Sequence, residues 1–192
     1  MTDSQSPALL AKYIQSFDGA FDAQLCQQMV QSFHSLARFH KPNGKSHRAG
    51  LEESAWTELD IGPLSDEGFR RMLIANMLKY LAQYNNTVNL SLPIPETKNI
   101  SEIIIKRYRS DTEENFQPHF DSLGAVSNRY LVFLWYLNDV KSGGETRFVD
   151  LDITVQPKAG RLLMFPPYWM FQHEGRPPIS GDKYILSTYF LF

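Results

Sequence analysis

Along this sequence the hydrophobic positions alter their spacing near residue 95. Before it they recur at three- and four-residue steps, the helical period. Leu25, Met29, Phe33, Leu36 and Ala37 line one face of a helix predicted over 23–39, with Asp22 placed to cap it. Phe69, Met72, Leu73, Met77, Tyr80, Leu81 and Tyr84 mark a second helix beginning after Ser65. Asp66 and Glu67 fall in its first turn, where the helix dipole favours acids. Between the two, the stretch 40–50 (HKPNGKSHRAG) holds a proline, two glycines and no large apolar residue, and reads as an exposed loop. Two prolines in 92–96 (LPIPE) end the helical half.

Beyond it the pattern is that of strands. Residues 100–109 are β-branched and alternate toward their end. Residues 129–137 (RYLVFLWYL) are almost continuously apolar, as in a strand covered on both faces. Further strands are predicted over 146–149, 153–155, 161–165, 170–172 and 184–192, with Gly, Pro, Asn and Asp between them. About eight short strands at this spacing predict an α+β, mainly β protein built on a sandwich or jelly roll. The 192 residues suit a single domain, with 1–95 as mainly helical support and 96–192 as the β core.

Composition narrows the chemistry. At 43% hydrophobic and 21% charged residues the chain has ordinary globular usage. Its 19 basic against 21 acidic residues, net −2, argue against a nucleic-acid partner. A lone Cys26 excludes an internal disulfide and a thiolate zinc site. No apolar run reaches the roughly 18 residues of a membrane span, and the N-terminus does not read as a signal peptide. The expectation is a cytoplasmic protein without a membrane partner, whose chemistry rests on His, carboxylates, hydroxyls, Lys or Arg.

Of five histidines, His34, His40 and His47 read as surface or helix-end residues. His119 differs, because in an extended segment residues i and i+2 share a face, so His119 and Asp121 project together and Phe120 points away. His173 is the one histidine after them. Two histidines and a carboxylate form the facial triad of non-haem Fe(II) sites, which leaves coordination positions open. Lys183 follows His173 across the turn 175–182, a spacing that brings both side chains into one cavity on adjacent antiparallel strands. A buried lysine there calls for an anion. Gly143-Gly144 reads as a hairpin turn, since no helix with Lys-Ser/Thr follows. Trp135, Tyr136, Phe165 and Phe171 read as core, and Trp169 is a candidate for the mouth of the site. Segments 39–50 and 110–115 are candidate lids on length and polarity.

These residues resemble the Fe(II)/2-oxoglutarate-dependent dioxygenases, in their prolyl 4-hydroxylase-like branch. The resemblance runs from Arg107 to the C-terminus. It is carried by Arg107-Tyr108, His119-Phe120-Asp121, RYLVFLWYLNDV from Arg129, GGETRF from Gly143, VQPKAG from Val155, LLMFP from Leu162, His173-Glu174-Gly175 and PPISGDK ending at Lys183. It implies a double-stranded β-helix (jelly roll) with the N-terminal helices packed on one sheet. It implies Fe(II) on His119, Asp121 and His173, and 2-oxoglutarate on Lys183 with Tyr108 assisting and Thr146 lining the same pocket. Arg129 would face substrate. The implied reaction consumes O2 and releases succinate and CO2, with ascorbate as reductant. The implied target is a prolyl residue of a peptide or protein. The alternatives are a free amino acid or small metabolite, or a low-turnover module that binds 2-oxoglutarate and senses oxygen. The sequence departs from the pattern in three ways: a Tyr108–His119 interval two residues longer than in collagen-type enzymes, Phe116 in place of a tyrosine, and Tyr189 in place of a tryptophan.

Overall fold

A computed structural model describes residues 6–192. Its helices are α1 (Ser6–Ala11), α2 (Ala23–Ser35) and α3 (Glu67–Val88). Asp22 and Asp66 cap α2 and α3, each side chain accepting the amide of the third residue on, Leu25 at 2.7 Å and Phe69 at 2.8 Å. The strands are β1 (Gln15–Phe17), β2 (Lys41–Gly44), β3 (Ala55–Asp60), β4 (Ile104–Tyr108), β5 (Phe116–His119) and β6 (Arg129–Tyr136). They continue with β7 (Thr146–Phe148), β8 (Ile153–Val155), β9 (Leu162–Phe165), β10 (His173–Gly175) and β11 (Lys183–Leu191). They form two antiparallel sheets, one in the order β1-β9-β6-β11-β4-β3-β2 and a smaller one in the order β5-β10-β7-β8. The architecture is a jelly roll that does not close into a barrel.

The apolar run in β6 follows from the position of that strand. Leu131, Phe133 and Trp135 face a core shared with α2 and α3, while Val132, Leu134 and Tyr136 face the small sheet. β9 divides in the same way, with Leu162 and Met164 toward the helices and Leu163 and Phe165 toward the small sheet. The large sheet is thus buried on both faces, and the inner face of β11 (Lys183, Ile185, Ser187, Tyr189) looks into the gap between sheets.

Three features depart from the expected elements. The stretch read as an exposed loop contains β2, paired with β3 from Lys41↔Glu58 to Gly44↔Ala55. It is the edge strand, so Pro42 loses no interior hydrogen bond. Residues 170–172 are not a strand, because a 3₁₀ turn (Trp169–Phe171) closes on Phe171 N–H donating to Tyr168 O at 2.8 Å, and pairing begins at His173. The helix expected over 23–39 ends as an α-helix at Ser35 and continues after Leu36 as a 3₁₀ turn. Gly143, at φ 73°, sits where a Cβ would lie 2.4 Å from Pro177 O, so the tight approach of these loops requires glycine there.

The segments read as candidate lids are tied to the framework. In 39–50, β2 pairs with β3 and Lys45 N–H donates to Ser54 O at 2.6 Å; in 110–115, Asn115 O accepts from Ala55 N–H at 3.0 Å and Ser110 N–H donates to Asp182 Oδ1 at 3.0 Å. Among the described residues no helix is long and apolar enough to cross a membrane.

Candidate metal centre and anion pocket

β5 and β10 pair antiparallel with His119 directly opposite His173. The backbone then turns after β5, and both the Asp121 and Ser122 amides donate to Pro167 O at 3.0 Å. That turn swings Asp121 in beside its i−2 neighbour. Asp121 Oδ1 lies 3.5 Å from His119 Nε2, and Oδ2 lies 3.5 Å from His173 Nε2. All three ligand atoms fall within 4.8 Å of one another.

Each imidazole is held from behind. His119 Nδ1–H donates to Gln117 O at 2.8 Å, and His173 Nδ1–H to Phe171 O at 3.1 Å, in each case the carbonyl two residues back. The 3₁₀ turn thus has a task, since it delivers the Phe171 carbonyl. These bonds select the tautomer whose Nε2 lone pair points at the carboxylate. Burial and the neighbouring His119 push His173 down to about 4, so it is neutral at physiological pH. Burial opposes the charge on Asp121, and the positive charge of Lys106, joined by that of either imidazole when protonated, holds the carboxyl below its ordinary range. Lone pairs facing carboxylate oxygens repel unless a cation lies between them. The donor set fits a divalent metal with open positions.

The surroundings are apolar and aromatic. Phe116 stacks on His119 with centroids 3.6 Å apart and planes at 9°, and Phe165 meets His173 edge-on at 4.7 Å. Tyr189 OH donates to Asp121 Oδ1 at 3.0 Å and fixes the carboxylate. Tyr189→Phe is therefore expected to weaken metal affinity about 10- to 100-fold, the usual cost of losing a partner that orients a ligand. Metal titration in competition with a chromophoric chelator measures this.

Lys183 lies in the same cavity, 2% exposed. Its Nζ is 5.2 Å from the Tyr108 ring centroid and 5.6 Å from that of Tyr136. Among the described residues no carboxylate lies within 4.0 Å of it. Burial drives this ammonium down to about 7, against the pull of Glu145. Tyr108 stands opposite Lys183 in register, and burial keeps its phenol protonated, a donor. Thr146 lines the same space and accepts from Tyr136 OH at 2.7 Å.

Two expected residues sit elsewhere. Arg129 lays its guanidinium over the Tyr189 ring at 4.0 Å and donates to Asp121 O at 3.4 Å. It braces the metal-side loop and does not line the cavity. Trp169 is 66% exposed on the 3₁₀ turn and also lies outside the cavity wall. Sequence reasoning missed Lys106, which lines the cavity with His119, Asp121 and Lys183. A signal for it exists, since Lys106 is two residues before Tyr108 in an alternating strand.

Comparison with known proteins agrees with this geometry. Residues 103–191 match the family described as the 2OG-Fe(II) oxygenase superfamily. Human procollagen-lysine,2-oxoglutarate 5-dioxygenase 1 is 22% identical over 172 residues, covering 88% of this chain and 23% of that protein. The chain thus spans about a quarter of the length of this curated relative. Among solved structures, a prolyl-4-hydroxylase from Pseudomonas putida superposes with a TM-score of 0.65 at 18% identity, covering 96% of this chain and 97% of its own. A prolyl hydroxylase from Trichoplax adhaerens, in complex with a hypoxia inducible factor oxygen degradation domain peptide fragment, gives 0.68 at 14% identity, with 96% and 86% covered. These likenesses share the fold.

Proposed function

We propose that this chain, which belongs to the 2OG-Fe(II) oxygenase superfamily, hydroxylates an unactivated C–H bond, with a prolyl residue of a peptide or protein as the favoured target. One observation carries the reading: a tautomer-locked His119–Asp121–His173 set shares a cavity with a buried, unpaired lysine. Iron held by the triad would supply, with 2-oxoglutarate and O2, the oxidising power that turns C–H into C–OH as succinate and CO2 leave. Prolyl and procollagen-lysine hydroxylases among the similar proteins support a peptidyl target.

The protein's own residues have distinct tasks. His119, Asp121 and His173 would hold the metal, three protein ligands leaving positions for cosubstrate and oxygen were it bound. Lys183, with the Tyr108 hydroxyl, binds the far carboxylate of the cosubstrate and fixes its orientation. Phe116, Phe148 and Phe165 keep water away from the histidines, so charge interactions inside stay strong. Tyr189 and Arg129 keep Asp121 in place.

A succinate-release screen tests the proposal, run with Fe(II), 2-oxoglutarate and ascorbate over proline-containing peptides, free amino acids and cell extract. The expected result is succinate in step with a product heavier by one oxygen, dependent on Fe(II) and O2. Substrate-stimulated succinate without any oxygenated product contradicts it.

A further inference from the structure

The cavity holds a second lysine that the proposed chemistry does not use. Lys106 is central in β4, and its side chain enters beside those of His119 and Asp121. Its Nζ lies 5.3 Å from the Phe116 ring centroid and 5.6 Å from that of Trp56. The residue opposite in register is Glu58, whose carboxylate instead accepts Trp56 Nε1–H at 2.9 Å. Among the described residues no carboxylate oxygen lies within 4.0 Å of Lys106 Nζ. Lys106 is half-buried, and Asp121 and Glu58 attract its charge without closing an ion pair, so its ammonium keeps donors free on the cavity side.

We infer that Lys106 is a specificity-determining residue that receives a carboxylate of the substrate, so that the substrate class is a carboxylate-bearing amino acid or peptide. The inference rests on the proposed function. Charge balance favours it. With a divalent metal, Asp121, doubly charged 2-oxoglutarate and Lys183 in place, the site is neutral. Among the cavity-lining groups Lys106 then leaves one positive charge over, with Glu58 behind the wall and engaged by Trp56 Nε1–H, and one substrate carboxylate matches it. Its position suits this role, because Lys106 stands beside the metal ligands while Lys183 lies across Gly175 and Thr146. The Phe116 ring, backed by Trp56, supplies an apolar wall for the body of such a substrate, so the ammonium sets its orientation.

The test uses anaerobic Fe(II)·2-oxoglutarate protein and reads the displacement of its visible charge-transfer band on substrate binding. The probes are the protein amino acids against their primary amides, Gly-Ala-Pro as acid against C-terminal amide, and an amidated peptide with Asp beside Pro. These separate a free amino acid, a peptide's C-terminus and an acidic side chain as sources of the carboxylate. In the wild type, acids in at least one group should bind about 10- to 100-fold more tightly than their neutral counterparts, as for a charge-assisted contact. Lys106→Met should erase that preference and Lys106→Arg should keep it. Both should still form the 2-oxoglutarate band in the absence of substrate, which shows the pocket is folded. Equal binding of acids and amides, or a preference that survives Lys106→Met, overturns this inference and leaves the proposed function standing. Absence of the band in the wild type overturns the proposed function itself.

Discussion

Asp121→Ala should reduce succinate release to less than about one hundredth of wild type, beyond the 10- to 100-fold cost of losing a partner that merely orients a ligand. Asp121 contributes the only carboxylate of the triad, and its two oxygens each sit 3.5 Å from one imidazole. Without it the site offers two neutral nitrogens and no negative charge, a poor holder for a hard divalent ion. The substitution also leaves Tyr189 OH, now donating at 3.0 Å, without its acceptor. An orphaned buried donor costs about 1–3 kcal/mol of stability. Thermal denaturation separates this second effect from loss of the metal. His119 and His173 retain their carbonyl anchors, so the fold should survive with its activity gone. Undiminished succinate from a folded Asp121→Ala protein would remove the triad from the reaction.

Lys183→Met should raise the 2-oxoglutarate requirement about a hundredfold or more, the scale of stranding one member of a buried ion pair. Saturating cosubstrate should recover much of the turnover, because the metal ligands are untouched. The same variant should show an opposite effect on the empty protein. Burial lowers Lys183 from 10.5 to about 7, so below pH 7 both the folded and the unfolded state hold its proton and the folded state bears the full desolvation cost. Between about pH 7 and 10.5 the unfolded state binds a proton that the folded state does not. Over this window the wild type should gain about 1.4 kcal/mol per pH unit relative to Lys183→Met, and no more above it. Urea unfolding at pH 6, 8 and 9.5 measures the difference. A dicarboxylate that restores the charge must bring a proton with it, so above pH 7 wild-type affinity for 2-oxoglutarate should fall as pH rises, by up to about tenfold per unit. Calorimetry in buffers of different ionisation enthalpy counts that proton directly.

Much of the site can be read from the sequence because it is built from short-range geometry. His119 and Asp121 are two residues apart at a strand end, and Lys183 opens the strand that follows the turn after His173. The double-faced burial of β6 is visible as an unbroken apolar run. Other parts depend on partners distant in the sequence. Lys41–Gly44 looks like a loop by composition and becomes a strand only because β3 offers it an edge. Met170 and Phe171 carry apolar side chains in either conformation, so pattern alone does not distinguish a strand from the turn that aims the Phe171 carbonyl at His173. Arg129 fits the family pattern, but here Tyr189 replaces the expected tryptophan and its ring takes up the guanidinium. Lys106 escapes notice because no motif marks it, although strand alternation from Tyr108 points it inward.

Anaerobic titration of the protein with Fe(II) in the presence of 2-oxoglutarate, followed by visible absorption, bears most directly on the paired use of the triad and Lys183. A weak charge-transfer band should grow and saturate at about one iron per protein molecule, vanish in His119→Ala, and need far more 2-oxoglutarate in Lys183→Met. No band in the wild type, or an unchanged band in His119→Ala, would contradict the assignment.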